Sequence, residues 1–327
     1  MGKYLFFRIV NYVILLFIAV NLAYFLAATQ LNPRALYELR NPPLPPTSID
    51  NSLFSFNLND KTPLLERWWT WLTNVVLHWD WGQKPQGGDV NGEISRRIWV
   101  SVRLITIGSL LGIGLGVLIG AWTAVRQYKA SDRIVTFVSL VLISTPSFVV
   151  ATILVIVATK FNQATGLRVF EFTGETGSVG GYAGAALVDR LQHLLLPTLA
   201  LVLFGIASFS RIQRNLMLDS LGADYVRTAR AKGLRESRAV MKHALRTSLI
   251  PTGTYFAFSV ASLFTGSATM ELVFSFQGMG IYGVSSINGQ DVHGTVAVTA
   301  FAGVCTLTGA ILADIMVAAL DPRVRLS

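Results

Sequence analysis

Ionisable side chains are scarce in this 327-residue chain. Asp, Glu, Lys and Arg together make up 14% of it, against about 25% in ordinary soluble domains. Acid is the scarcer sign, with 18 Asp and Glu against 27 Lys and Arg, for a net charge of +9. A single cysteine, Cys305, excludes an intrachain disulfide. The four histidines, His78, His193, His243 and His293, share no ligand-like spacing, so no metal site is expected from them. No G-x-x-x-x-G-K-[S/T] segment occurs, and the chain therefore cannot cradle the phosphates of ATP by itself. No Ser/His/Asp set or carboxylate pair recurs in one soluble stretch, which leaves an enzyme no foothold.

Apolar residues are abundant instead: 52% of the chain, with a mean hydropathy of +0.52. They gather in runs long enough to cross a hydrocarbon core of about 30 Å, which takes about 20 helical residues. Six runs stand out, at 9–29, 101–125, 134–159, 194–210, 252–275 and 295–319. The reading is an all-α membrane protein with six transmembrane helices. The first run is too long for a signal-peptide core and lacks a good cleavage site, so it is read as a retained helix. The fourth, short and carrying Pro197, is expected to be tilted or broken.

Orientation follows from the basic residues. Placing both termini in the cytoplasm puts sixteen of the 27 Lys and Arg in the N-terminus, 126–133, 211–250 and the C-terminus. The net positive charge is thereby explained by topology, and no nucleic-acid partner is inferred. The chain divides into 1–29 (N-terminus and first span), an outer loop at 30–98, and a membrane core at 99–327 that contains the cytoplasmic loop 211–250.

The outer loop changes character halfway. Its first half, with Asn41-Pro42-Pro43-Leu44-Pro45-Pro46, argues for irregular, extended chain. Its second half holds five of the seven tryptophans, at 68–81, and is read as a helix lying at the membrane interface. An aromatic clamp for a ligand is the alternative. A second loop, 161–193, carries Thr173-Gly174-Glu175-Thr176-Gly177-Ser178-Val179-Gly180-Gly181, a composition that suggests mobility.

Within the core, Gly108, Gly112, Gly116 and Gly120 recur every four residues on one helix face, which lets another helix approach closely. Plain packing and a sliding seam both fit that stripe. Pro146, beside Ser147, interrupts the third run and frees a backbone carbonyl, giving either a structural kink or one that lines a path. Glu271 and Asp314 are ionisable groups in membrane runs, the usual bottom-up pointers to function. Asp314 is read as a packing residue.

Residues 211–250 are the most informative. This polar, basic stretch contains Asp224-Tyr225-Val226-Arg227-Thr228-Ala229-Arg230-Ala231-Lys232-Gly233-Leu234 and ends at Leu249-Ile250-Pro251. It reads as helix, glycine break, second helix, then Pro251 in the first turn of the next span. Val226, Ala229 and Gly233 share a small apolar face. A protruding two-helix element with such a face is shaped to dock into a partner's groove.

This wording and spacing resemble the EAA loop of bacterial ABC importer permeases, and the oligopeptide/dipeptide (and nickel) branch in particular, its first (B-type) permease. The likeness covers most of the chain. Ser144-Thr145-Pro146-Ser147-Phe148 resembles the family's Ser-Ile-Pro-Ser-Phe. Glu271 to Gly280 resembles Glu-x-Val-Phe-x-x-Pro-Gly-Leu-Gly, with Gln277 in place of proline, and Asp321-Pro322-Arg323 resembles the family's ending. Gln30-Leu31-Asn32-Pro33 and Trp79-Asp80-Trp81-Gly82 are looser matches.

The resemblance implies a type I ABC importer permease fold and a defined set of partners. These are a second homologous permease, two cytoplasmic ABC ATPase subunits holding ATP and Mg, an extracytoplasmic peptide-binding protein, and the lipid bilayer. No cofactor is expected on this chain. Asp224, Tyr225, Ala229, Ala231, Lys232, Gly233, Leu234 and Pro251 would couple to the ATPases. Pro146, Ser147, Glu271, Gly278 and Gly280 would line the path or gate it, with Gly278 and Gly280 in an outer Gly-rich turn; Glu271 would pair with a partner subunit or sit near a peptide amine. A permease for nickel or another solute fits the same superfamily. A self-sufficient secondary transporter is the rival of another class, but it predicts inverted repeats and several buried charges.

Overall fold

The computed structural model describes residues 2–39, 41–42, 44–177 and 184–320, with side chains left out at 2–5, 257–267 and 317–320. Ser178, Val179, Gly180 and Gly181 of the second loop, and the Asp321–Arg325 ending, lie outside the described residues. The helices are α1 (Gly2–Gln30), α2 (Ala35–Glu38), α3 (Pro46–Ser55), α4 (Leu64–His78), α5 (Val90–Val125), α6 (Ala130–Ser144), α7 (Ser147–Thr165), α8 (Ala185–Leu221), α9 (Asp224–Ala231), α10 (Glu236–Ala239), α11 (Arg246–Val273), α12 (Met279–Asn288) and α13 (Val292–Leu320). A π-helical turn, Val240–Leu245, joins α10 to α11. No strand occurs among the described residues beyond an isolated bridge, Gln83 to Asp89.

Among the described residues, five helices are long and apolar enough to cross a membrane: Phe6–Glu38, Val90–Val125, Ser147–Thr165, Ala185–Leu221 and Val292–Met316. The run at 252–275 falls on α11, where the side chains of 257–267 are not described. Two expectations are corrected. The run at 134–159 is two helices, because Thr145 is extended (φ −92°, ψ 129°) ahead of Pro146, the conformation a following proline imposes. The run at 194–210 is neither short nor broken: it is the middle of the 37-residue α8, with Pro197 inside an uninterrupted helix. At 1.5 Å per residue α8 is about 55 Å long, so it reaches well beyond a hydrocarbon core.

The chain forms two compact units. One comprises Val102–Phe276 with the chain from Thr306. In it α8 packs against α6, α7 and α11, with the π turn between α8 and α11.

The other comprises Gly2–Ser101 and Gln277–Cys305. Its core joins Tyr24, Tyr37, Leu53, Trp71, Trp81, Val90, Val292 and Val296. Residues 46–55, expected to be irregular, form α3, because Pro46 takes a first-turn position where a missing N–H costs nothing. The tryptophan segment is helical, as α4, and its rings divide. Trp71 is buried and stacks on Tyr24 at 4.7 Å, and Trp68 donates from Nε1 to Asn21 Oδ1 at 2.7 Å, whereas Trp69 and Trp79 are exposed. Arg34 fastens the loop by ion pairs to Asp50 and Asp60, both at 2.6 Å. These contacts, with Lys61 on Asp50, hold both carboxyls below their usual range.

Candidate functional site

The 211–250 segment begins inside a helix, because α8 runs unbroken to Leu221. Ala223 is extended (φ −75°, ψ 147°) and starts α9. Gly233 takes φ +87°, the left-handed conformation expected of it. Leu234 N–H donates to Ala229 O at 3.2 Å and Gly233 N–H to Arg230 O at 2.9 Å, the paired bonds of a Schellman ending. Leu234 packs on the cluster containing Ala229, which completes that motif.

The direction of the small-residue face is corrected. Val226 and Ala229 are buried within the chain, in a cluster with Ala124, Met217, Ala239, Val240 and Ala244. That face holds α9 on its own protein and is unavailable to a partner. The outward face carries Asp224, Tyr225, Arg227, Thr228, Ala231 and Lys232, with Gly233 also exposed. Tyr225, Thr228 and Lys232 stand at helical spacing on it. Pro251 is also corrected: it lies inside α11, since helix has already begun upstream at Glu236 and continues through the π turn.

Buried polar groups tie this element to the spans. Gln213 is fully buried; its Nε2 donates to Ser248 Oγ at 2.7 Å, and Thr252 Oγ1 donates to its Oε1 at 2.6 Å. Both amide ends of Gln213 are thus satisfied, joining α8 to α11 just beyond the π turn. Arg214 donates from Nε to Asp132 Oδ1 at 2.6 Å and from a terminal nitrogen to Oδ2 at 2.8 Å, joining α8 to α6 in a two-bond fork. Sequence reasoning missed Gln213, Asp132 and Arg214, although a Gln and an Arg on the buried side of a long helix are a usable signal.

Gly108, Gly112, Gly116 and Gly120 all face α8. A Cβ on Gly108 would lie 2.8 Å from Leu201 Cβ, on Gly112 3.1 Å from Gly205 Cα, and on Gly116 2.8 Å from Phe209 Cβ. On Gly120 it would meet Gln213 Cβ at 2.9 Å and the Ser210 carbonyl closer still. Gly114, off the stripe, has nothing within 4 Å. The glycines therefore let α5 approach α8 backbone to backbone.

The other named residues are spread along the chain. Pro146 and Ser147 start α7. Glu271 is fully buried near the end of α11, and its carbonyl accepts the Phe276 N–H at 2.8 Å. Gly278 and Gly280 do not form a free turn: Gly278 is extended and precedes α12, and Gly280 is buried within that helix. Met279 N–H donates to Ser101 Oγ at 2.7 Å, which secures the start of α12. Asp314 lies partly buried in α13.

Residues 116–326 match the family described as the binding-protein-dependent transport system inner membrane component. The chain is 45% identical to the oligopeptide transport system permease protein OppB of Mycobacterium tuberculosis over 328 residues, covering 100% of both chains. It is 33% identical to the dipeptide transport system permease protein DppB of Lactococcus lactis over 331 residues, again covering 100% of both. It is 31% identical to the oligopeptide transport system permease protein AppB of Bacillus subtilis over 288 residues, covering 88% of each. Long apolar helices, a glycine-lined helix contact and a basic helix–Gly233–helix element thus come with full-length likeness to membrane permeases. The chain belongs to the binding-protein-dependent transport system inner membrane component family.

Proposed function

We propose that this chain is a transmembrane permease subunit of an ABC transporter that imports oligopeptides or dipeptides. The observation that carries the reading is the likeness along the whole chain to an oligopeptide transport system permease protein, 45% identical over 100% of both. In this reading a second homologous permease completes the translocation path, and two cytoplasmic ATPase subunits hold ATP and Mg. An extracytoplasmic binding protein delivers the peptide. Six spans with both termini in the cytoplasm place 211–250 on the ATPase side, in keeping with the basic-residue count.

The exposed face of α9 is the coupling surface. Tyr225, Thr228 and Lys232 meet the ATPase, while Val226 and Ala229 hold α9 to the π turn and the end of α8. ATP-driven closure of the ATPases displaces α9, and the Gln213–Ser248–Thr252 bonds carry that displacement into α8 and α11. Two global states result, biased by nucleotide on one side and loaded binding protein on the other.

The test is uptake into proteoliposomes holding the whole complex, with binding protein outside and ATP inside. A labelled tripeptide should accumulate only with ATP and binding protein, and nickel should not. Accumulation of nickel in its place selects the other-solute reading. Uptake by this chain alone without ATP selects a secondary transporter.

A further inference from the structure

The tryptophan helix α4 has a surface that the import reading leaves unused. At 3.6 residues per turn its side chains fall into three arcs. Arg67, Trp68, Trp71 and Val75 are buried or half-buried within the unit formed by Gly2–Ser101 and Gln277–Cys305. Glu66, Thr70, Thr73 and Asn74 make a second arc, polar and exposed or half-exposed, broken only by Leu77. Between the two, Leu65, Trp69, Leu72 and Val76 occupy an arc of about 60°. Leu65, Trp69 and Val76 are 68%, 60% and 65% exposed, and Leu72 is half-buried at the edge of the core. A helix seated between protein and water needs only two arcs. A third, apolar and open, calls for another apolar medium.

The contacts of α4 fix the level at which it lies. Trp68 bonds to Asn21, its ring stands 5.5 Å from that of Phe25, and Trp71 stacks on Tyr24. Asn21, Tyr24 and Phe25 belong to the apolar run 9–29 of α1. At about 1.5 Å per residue that run is just long enough to cross a hydrocarbon core of about 30 Å. It cannot slide outward, because Lys3 and Arg8 precede it. Asn21 stands eight residues before Thr29, and so about 12 Å below the C-terminal end of the run. The helix α4 therefore lies at the depth of the membrane leaflet that holds this end of α1, and not above it. At that level α1 exposes Leu22 and Leu26, which are lipid-facing residues of a span.

The five rings do not make a clamp. Trp68 is hydrogen-bonded, Trp71 is stacked and Trp81 is buried, which leaves Trp69 and Trp79 exposed. A protein approaching from water would meet the arc of Glu66 and Thr70 instead. We propose that α4 is embedded in the bilayer, with the stripe of Leu65, Trp69, Leu72 and Val76 covered by the acyl chains of phospholipids. Trp69 suits that depth, since its ring is apolar while its N–H can reach the headgroups. The outer loop is thus seated in the membrane by α4 as well as by α1. This holds whichever solute the chain carries, and it does not rest on the import reading.

The experiment places a nitroxide label at Leu65→Cys, Trp69→Cys and Val76→Cys, and for comparison at Glu66→Cys and Thr70→Cys. Each is made with Cys305→Ser in the whole transporter, held in phospholipid nanodiscs. Collision with oxygen, which concentrates among acyl chains, is compared with collision with a water-soluble nickel chelate. The first three labels should favour oxygen over the chelate several-fold, and the other two should show the reverse. Stripe labels that meet the chelate as freely as those at Glu66 and Thr70 place the stripe in water and overturn the proposal. Stripe labels shielded from both reagents place a protein there, such as a second permease, and overturn it equally. A second measurement needs no label. Phospholipids brominated along their chains should quench tryptophan emission, and Trp69→Phe should remove more of the quenchable emission than Trp71→Phe, whose ring is buried. Equal losses from the two variants would contradict the embedded stripe.

Discussion

Gly112 and Gly205 press α5 and α8 together so closely that neither position has space for a methyl group. A Cβ on Gly112 would lie 3.1 Å from Gly205 Cα, and a Cβ on Gly205 would lie 2.8 Å from Gly112 Cα. Backbone is met on both sides, so no side chain can rotate away. Gly205→Ala or Gly112→Ala should destabilise the chain by about 1–3 kcal/mol, the usual range for overpacking. Gly114→Ala, with nothing within 4 Å of its Cβ, should be neutral or slightly stabilising. Thermal unfolding in detergent, compared across the three variants, checks this. Equal Tm values for Gly112→Ala and Gly114→Ala would contradict the close approach.

Asp132 and Arg214 make the clearest ion pair near the coupling element, and Asp132 is 3% exposed. Arg214→Gln leaves the carboxylate buried without its cation, a loss of about 3 kcal/mol. Adding Asp132→Asn should recover most of that stability, because no unpaired charge then remains. The Arg214 guanidinium also holds the Asp132 carboxyl below its ordinary 3.8. The folded protein thus binds that proton more weakly than the unfolded chain does. The contribution is full above pH 3.8 and falls away as acid protonates the folded carboxylate. Unfolding of wild type and double variant as a function of pH should therefore converge in acid.

Much of this was legible in the sequence, for identifiable reasons. Gly233 was readable because a left-handed helix ending is a local property of one residue. The glycine face was readable because its period is that of the helix. The outward direction assigned to Val226 and Ala229 was wrong because a small apolar face looks the same whether its partner is another chain or Met217 and Ala244. The break expected at Pro197 and the helix start expected at Pro251 are both absent. Pro197 and Pro251 both sit inside helices whose neighbours in space override a local breaker. The grouping of Asp291 with Lys84, Arg97 and Tyr282 around one cavity was invisible, because only the fold brings them together.

Asp291 gives a second pH dependence, of opposite sign. Burial pushes its carboxyl up to about 6, with Lys84 opposing. The folded state then holds the proton more tightly than the unfolded chain, so stability from this group falls as pH rises from 3.8 towards 6. Asp291→Asn should remove that slope while keeping the bond that Oδ1 accepts from the Gly294 N–H. The groups around it are Lys84, Arg97, Glu93 and the Tyr282 phenol, the last pushed upward by burial and by Asp291 itself. Unfolding of wild type and Asp291→Asn across that range reads the effect.

Tyr225 tests which face of α9 is used. It is exposed on the outward side, whereas Ala229 is buried beneath the same helix. Tyr225→Ala should leave Tm within about 0.5 kcal/mol equivalent, as a surface change does, yet reduce peptide-stimulated ATPase activity of the complex several-fold. Unaltered ATPase stimulation would move the contact elsewhere on the 211–250 segment.

The central claim, that this permease takes its energy from separate ATPase subunits through the α9–Gly233 element, is tested most directly by co-purification. The tagged chain is isolated from membranes expressing the whole transporter, as wild type and as Gly233→Asp. A Cβ at Gly233 meets nothing within 4 Å, so the lesion is the strain of a side chain at φ +87° together with a negative charge at the C-terminal end of α9. The account predicts ATPase subunits and a second permease with the wild type, and loss of the ATPases alone with Gly233→Asp. A wild-type chain that purifies by itself and moves solute without ATP would contradict it.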